Sequence, residues 1–148
     1  MKKWPWWVKT LVILVVLFGL IQLIPFGHNH QNPAVVVEAN FDGQSTKDMV
    51  KASCYDCHSN ETVWPWYSNV APVSWLIAAD VAEGRGNLNF SDWSSNSVVS
   101  QELFGAAAEV VSRGKMPPFY YGWMHPQAVL DASTRQQLVD GLQKSAGQ

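Results

Sequence analysis

The stretch Cys54-Tyr55-Asp56-Cys57-His58 contains both cysteines of the chain and one of its four histidines. Two cysteines separated by two residues and followed directly by a histidine form the pattern C-x-x-C-H, which is typical of covalent attachment of c-type haem. On a helical turn the residues at i, i+3 and i+4 lie on one face. We therefore expect the thiols of Cys54 and Cys57 to bond to the vinyl groups of haem c, and the imidazole of His58 to bind the iron.

Three other interpretations of the cysteine pair are less consistent with the rest of the sequence. A thioredoxin-like dithiol usually accompanies a βαβ pattern, which the sequence does not show. A structural zinc site needs four ligands, and the sequence has no second cluster of cysteine and histidine. A disulfide between residues three positions apart closes too small a loop to stabilise a fold appreciably. The sequence therefore favours haem attachment.

The second axial ligand of the iron has two candidates in the C-terminal half of the chain. Methionine and histidine are usual ligands at this position, and methionine opposite histidine raises the reduction potential. Met116 lies in the string RGKMPPFYYG, where two prolines restrict the backbone. His125, in WMHPQ, is the alternative ligand. The third alternative is an open position, to which neither side chain binds.

Residues 1–26 form an apolar segment with a basic end. Lys2, Lys3 and Lys9 precede or flank a run without charge from Thr10 to Ile24. The 23 residues from Trp4 to Phe26 exceed the ~20 that a membrane-spanning helix needs. The segment therefore predicts an N-terminal transmembrane helix, a single pass of a bacterial-type inner membrane and a periplasmic haem domain, with the lysines on the cytoplasmic side. The alternative is a cleavable signal peptide.

The remainder of the chain predicts an all-α domain with long loops. Residues 27–44 are rich in Pro, Asn and Gly and are expected to form a linker, and residues 45–148 the c-type haem-binding domain. Helical spacing and caps predict four helices, which run from Ser45 into the cysteine pair, from Ser74 to Gly84 or Gly86, from Ser97 to Arg113, and onward from Ser133. No segment has a convincing strand pattern.

The composition limits the classes of partner. Eight tryptophans and 47% hydrophobic residues indicate an ordered protein. The net charge of -2 gives no indication of a nucleic-acid partner. Three of the ten basic residues lie among the first nine positions, so the rest of the chain carries seven basic residues against twelve acidic ones. A mildly acidic domain favours a redox protein partner with a basic docking patch.

Three longer strings carry a family resemblance. The strings CYDCHSNETVWPWYSNVAPVSW, DVAEGRGNLNFSDW and GKMPPFYYGWMHPQAVL resemble the small haem-binding-domain proteins, a cytochrome c-like family of exported single-haem domains. The resemblance extends over about residues 40–145. It implies haem bound covalently at Cys54 and Cys57, with His58 as the proximal ligand and Met116 as the distal one. It also implies a cytochrome c-like order of a helix, the attachment motif, a methionine loop and a C-terminal helix.

The aromatic residues and one arginine complete the predicted cofactor site. Porphyrin faces are large and apolar, and aromatic side chains bury such faces well. The candidates for this contact are Trp64, Trp66, Tyr67 and Trp75, together with Trp93, Phe119 and Tyr120. Arg85 is a candidate hydrogen-bond donor to a haem propionate, with the ring N–H groups of Trp64 and Trp66 as the alternatives.

The predicted function is electron transfer by a membrane-anchored mono-haem c-type protein. The sequence shows no evident substrate pocket or general acid–base pair, which favours an electron carrier over an enzyme. The alternative is a peroxidase-like haem enzyme, or a sensor of diatomic gases or redox state, whose distal ligand is displaceable.

Overall fold

The computed structural model describes residues 4–94 and 96–147. Among them are six α-helices and three short 3-10 helices, but no β-strand; one isolated bridge joins Val37 to Asp92. The α-helices are α1 (Trp6–Ile21), α2 (Gln44–Ser53), α3 (Tyr55–His58), α4 (Val73–Asn87), α5 (Ser97–Ser112) and α6 (Ala132–Ala146). Over these residues the secondary structure is all-helical, as expected. A cytochrome c-like arrangement of the helices is still only a prediction.

The predicted membrane-spanning helix is wrong. Helix α1 has 16 residues, which at the α-helical rise gives about 24 Å against a hydrocarbon core of about 30 Å. Nowhere in residues 4–94 and 96–147 does a helix reach the length and apolarity that a bilayer crossing requires. Lys2 and Lys3 lie outside the described residues. The membrane contact and the single-pass inner-membrane location rested on this helix and are withdrawn with it.

The chain divides into two compact units, of which the first comprises Met1–Gln31 and Trp64–Asp80. Within this unit the Gln22 side chain donates to the Ala71 carbonyl and accepts from the Ala71 N–H, at 3.0 and 2.9 Å. Gly27 has a φ of 80°, and a Cβ there would lie 2.5 Å from the Ser74 carbonyl oxygen. The residues that follow α1 are therefore held by backbone contacts to residues 71–74.

The second unit comprises Asn32–Val63 and Val81–Gln148 and contains the main core. The rings of Tyr55, Phe90 and Trp93 stack in series. The ring of Phe104 in α5 packs against that of Trp93, with the ring centroids 4.4 Å apart. Helix α6 buries the predicted stripe of Leu138, Val139 and Leu142. At Gly141 the same helix lies so close to α2 that a Cβ would meet Thr46 Oγ1. Small and apolar faces of α2, α5 and α6 thus enclose one aromatic core.

The helix ends were predicted with mixed success. Helix α5 ends as expected, with Gly114 just beyond it at a φ of 66°. Helix α6 is capped by Asp131, whose side chain accepts from Thr134 N, rather than by Ser133. Helix α2 begins at Gln44 and its N-cap is Gly43, whereas the sequence predicts Ser45 as the cap. Helix α4 continues through Gly84 and ends at Asn87, one residue beyond Gly86, the other predicted end.

Candidate functional site

The cysteine motif forms one tight turn at the end of α2. The Cys54 N–H still donates to Val50 O at 2.8 Å, which continues the hydrogen bonding of α2. The Cys54 backbone then leaves the helical region, with φ -129° and ψ -33°. Its carbonyl accepts from the N–H groups of Cys57 and His58, at 3.2 and 2.9 Å. The motif is therefore a single hydrogen-bonded turn, although Cys54 itself lies outside the helical region.

The imidazole of His58 is held by two backbone carbonyls. Its Nδ1 lies 3.0 Å from Gly84 O and 3.0 Å from Leu88 O. A carbonyl oxygen only accepts hydrogen bonds, so Nδ1 carries the proton and the lone pair is on Nε2. A histidine that binds a metal is usually held in this way through its other ring nitrogen. His58 is thus prepared to bind a metal through Nε2, and it fits the expected haem ligand.

Gly84 makes the carbonyl contact to His58 possible. A Cβ on Gly84 would lie 2.4 Å from Cys57 O, 2.9 Å from Cys57 C and 3.1 Å from Cys57 Cβ. Any larger residue would therefore push this end of α4 away from the motif. The sequence interpretation took Gly84 as a helix terminator and missed this role. A glycine within an otherwise continuous helical pattern, preceded by Ala-Glu, was the available signal.

The two cysteines are not joined by a disulfide. Cys54 is half-buried and packs against the aromatic core. Burial raises the pKa of its thiol to about 11, so Cys54 is protonated at neutral pH. Catalytic dithiols have lowered pKa values instead. No cluster of three or more His, Cys, Asp or Glu side chains suited to a metal ion occurs among the described residues.

Met116 lies in the turn after α5, where it is half-buried and packs against the same aromatic core as Cys54 and Leu88 do. His125 is about equally sheltered. Its Nδ1 lies 3.7 Å from Asp56 Oδ2, and its ring stacks on Tyr121 with the centroids 4.1 Å apart. The distal-ligand role remains a prediction for Met116, with His125 as its alternative.

Asp56, between the two cysteines, connects the motif to the segment after Met116. Its Oδ2 accepts from the Tyr121 hydroxyl at 2.6 Å, and its Oδ1 accepts from Val63 N at 3.0 Å. The sequence interpretation missed both Asp56 and Tyr121. A carboxylate inside an aromatic-rich motif with no assigned role was the only signal, and the sequence gives no means of choosing its partner.

Arg85 follows Gly84 on α4 and binds the chain just after the motif. Its Nε donates to Ser59 O at 2.7 Å, and its Nη2 donates to Asn32 Oδ1 and Thr62 Oγ1 at 2.8 and 2.9 Å. Partial burial lowers the pKa of the guanidinium. These contacts give Arg85 a role in holding residues 59–62, and its hydrogen bond to a haem propionate is still a prediction.

The remaining predicted aromatic contacts fall in different parts of the fold. Trp64, Trp66, Tyr67 and Trp75 belong to the first unit, where Trp64 stacks on His30 and Trp66 is 74% exposed. The buried Trp75 Nε1 has no hydrogen-bond partner among the described residues. In the second unit Trp93 is a core residue that donates to Ser100 Oγ at 2.6 Å, whereas Phe119 is exposed. Haem contact by the four first-unit residues is untested.

Comparison with known proteins gives one match. A family model described as Haem-binding domain matches residues 16–144. The matched range includes the cysteine motif, Gly84, Met116 and His125. Neither the curated proteins nor the solved structures include a match to the chain.

Proposed function

This chain belongs to the haem-binding domain family, and on that premise we propose that it holds haem covalently as a c-type protein and transfers single electrons to a redox protein. Haem binding follows from the family itself. The proposal concerns the mode of attachment, the two axial ligands and the use of the bound group.

One observation carries the proposal: His58 Nδ1 donates to two carbonyl oxygens at 3.0 Å. A surface histidine needs no such arrangement, whereas an iron ligand benefits from a fixed tautomer and a fixed ring plane. Since Gly84 O is one acceptor and Cys57 lies against Gly84, the same packing orients the ligand and the neighbouring thiol.

The attachment chemistry uses the two thiols of the motif. Covalent attachment would add each S–H group across a vinyl C=C bond of haem, joining sulfur and hydrogen to its two carbons, and would consume neither an oxidant nor a reductant. Cys54 enters it as a protonated thiol, because burial holds its pKa at about 11. Residues 54–58 form one turn, so both sulfurs and the imidazole start from a fixed backbone.

When bound, the haem supplies one-electron oxidation and reduction. His58 would hold the iron through Nε2, and we propose that the Met116 thioether would hold it as well. With both side chains bound, small molecules would be kept from the iron, and electron transfer would be the chemistry that the site supports. A thioether opposite an imidazole raises the reduction potential.

The contact between His125 and Asp56 favours a second candidate function, a peroxidase-like haem enzyme or a gas sensor. A half-buried imidazole beside a carboxylate is a common general acid–base arrangement. This function requires a distal position that is open or easily vacated, which is the point on which the two candidates differ.

The test is to express the full chain together with a haem-attachment machinery. Haem staining after denaturing electrophoresis, with intact-mass measurement, is expected to show one haem on the wild type and none on the variant carrying Cys54→Ala and Cys57→Ala. The single variant Asp92→Asn, outside the motif, is the control and should retain haem. Wild type that is colourless, with both thiols unmodified, contradicts the proposal.

Ligand binding by the purified protein separates the two candidate functions. An electron carrier is expected to bind carbon monoxide and cyanide poorly until Met116→Ala vacates the distal position. Wild type that binds either ligand readily, with no change in Met116→Ala, favours the enzyme or sensor instead.

A further inference from the structure

The two residues between the cysteines of the motif, Tyr55 and Asp56, have different surroundings. Tyr55 is buried in the aromatic core, and its hydroxyl donates to Glu38 at 3.3 Å. The Asp56 carboxylate instead contacts the segment that follows Met116. We propose that Asp56 is a positioning residue, which holds the Met116 segment in place relative to His58. This inference rests on the proposed function, in which Met116 and His58 bind the same iron.

Both oxygens of Asp56 are engaged. Oδ2 accepts from the Tyr121 hydroxyl at 2.6 Å and lies 3.7 Å from His125 Nδ1. Oδ1 accepts from Val63 N at 3.0 Å, while the Asp56 carbonyl accepts from the Thr62 hydroxyl at 2.7 Å. An O–H···O⁻ bond as short as the first is of the charge-assisted kind, which is stronger than a neutral hydrogen bond. The carboxylate therefore connects the motif to nearby Val63 and to the distant segment of Tyr121 and His125.

Tyr121 and His125 form a braced pair rather than two loose side chains. Their rings are stacked, with an interplanar angle of 22°. The His125 N–H donates to Tyr121 O at 3.1 Å, and the Tyr121 N–H donates to Pro118 O at 3.0 Å. A hydrogen bond to either ring therefore restrains the backbone from residue 118 to residue 125.

Met116 lies between two fixed points. On its N-terminal side, Gly114 N and Lys115 N donate to the last carbonyls of α5, at Val111 and Val110. On its C-terminal side, the braced pair on Asp56 fixes the chain at residues 121 and 125. Since Asp56 is two residues before His58, the bond from Tyr121 to Asp56 restrains the Met116 segment relative to the motif. Loss of this bond is expected to loosen the chain on the C-terminal side of Met116.

The test uses Tyr121→Phe and Asp56→Asn in the haem-loaded full chain. Tyr121→Phe removes one hydroxyl and keeps the ring that stacks on His125. Asp56→Asn keeps the shape of the side chain but removes its charge. We expect both variants to stain for haem as wild type does, and to bind cyanide about tenfold more tightly or better, because the methionine is more easily displaced. The absorption that reports the methionine–iron bond should weaken in parallel.

Two controls separate positioning from a general loss of structure. Tyr55→Phe removes the hydroxyl of the other residue in the motif, which bonds to Glu38, and should leave cyanide affinity unchanged. In a Met116→Ala background, Tyr121→Phe should have no further effect on cyanide affinity, because the ligand that it positions is absent. A loss of structure alone would raise cyanide affinity in both backgrounds.

Several results would overturn the inference. The first is a cyanide affinity that Tyr121→Phe leaves unchanged in haem-loaded protein. The second is an increase in cyanide affinity on Tyr121→Phe that is equal with and without Met116. The third is a wild-type cyanide affinity that Met116→Ala does not alter. If Asp56→Asn does not accumulate, Tyr121→Phe alone decides. Absence of haem from wild type is a separate result, which defeats the proposed function and this inference together, whereas the results above leave covalent attachment intact.

Discussion

The carbonyl oxygen of Gly84 lies 3.0 Å from Nδ1 of His58. This contact exists because residue 84 has no side chain, which lets the helix backbone rest on the peptide of Cys57. This glycine therefore permits the packing of α4 on the motif and supplies one of the two carbonyls that fix the proton on Nδ1. The close packing of α4 and the hydrogen bond to the imidazole thus both depend on this residue.

Gly84→Ala is expected to destabilise the protein by about 1–3 kcal/mol, the usual range for overpacking. The added methyl group would lie 2.4 Å from the Cys57 carbonyl oxygen, so α4 must move and the bond to His58 must lengthen. Urea unfolding of haem-free protein measures the change. Gly86→Ala, on the same helix with nothing within 4 Å of the new methyl, is the control and should stabilise by up to about 1 kcal/mol. Equal effects of the two changes would contradict the contact.

Phe104 and Phe119 allow the same substitution to be made in opposite surroundings. Phe104 is 1% exposed and packs between Trp93 and Phe41, whereas Phe119 is 78% exposed. We expect Phe104→Ala to cost about 3–5 kcal/mol in the free energy of unfolding. Phe119→Ala should stay within about 0.5 kcal/mol. Denaturant unfolding with unchanged m-values checks both, and a comparable loss at Phe119 would show that its ring is packed.

The Cys54 thiol should react slowly in folded, haem-free protein. Burial raises its pKa to about 11, against about 8.5 for an exposed thiol. Iodoacetamide labelling of Cys57→Ala protein at pH 8 is therefore expected to be roughly a hundredfold slower than in urea, and to accelerate as the pH approaches 11. A thiol whose folded pKa is raised favours folding below its unfolded pKa, so stability should fall as the pH rises from about 8.5 towards 11. Fast labelling at pH 8 in folded protein would contradict the burial of Cys54.

Part of this site could be predicted because its signals are local. The C-x-x-C-H pattern lies within five consecutive residues and predicted a bound haem, and the family match confirms haem binding. The roles of Cys54, Cys57 and His58 stay predictions. The end of α5 was predicted because Gly114 directly follows a helical pattern. The family match agrees with the resemblance carried by the three longer strings.

Features that depend on distant residues could not be predicted in this way. An apolar run predicts a spanning helix by length alone, but α1 ends at Ile21 and Gln22 bonds to Ala71, 49 positions away. The bond from Tyr121 to Asp56 joins residues 65 positions apart. In the sequence Gly84 resembles the end of a helix. The peptide of Cys57, which requires a glycine at this position, contacts it only in the folded protein. In each case a tertiary contact decided what the local pattern left open.

The pair of Glu38 and Lys47 should make a small, pH-dependent contribution to stability. Lys47 Nζ lies 2.9 Å from Glu38 Oε1, and this hydrogen bond is the main cause that lowers the pKa of Glu38. A lowered carboxyl pKa contributes stability above the unfolded value, about 4.3, and the contribution is lost as the pH falls through the folded value. Because the Glu38 side chain is 39% exposed, solvent screening should keep the effect below about 1 kcal/mol.

Glu38→Gln is therefore expected to lower stability at pH 7. It should match wild type below about pH 3, where the protonated Glu38 is as neutral as the glutamine that replaces it. A double-mutant cycle with Lys47→Met isolates the pair, and its coupling energy should shrink in 1 M salt as screening shortens the range of the charges. Thermal or urea unfolding at pH 7 and pH 3 provides the measurement. A stability difference that is the same at both pH values would assign the effect of Glu38 to its packing instead of its charge.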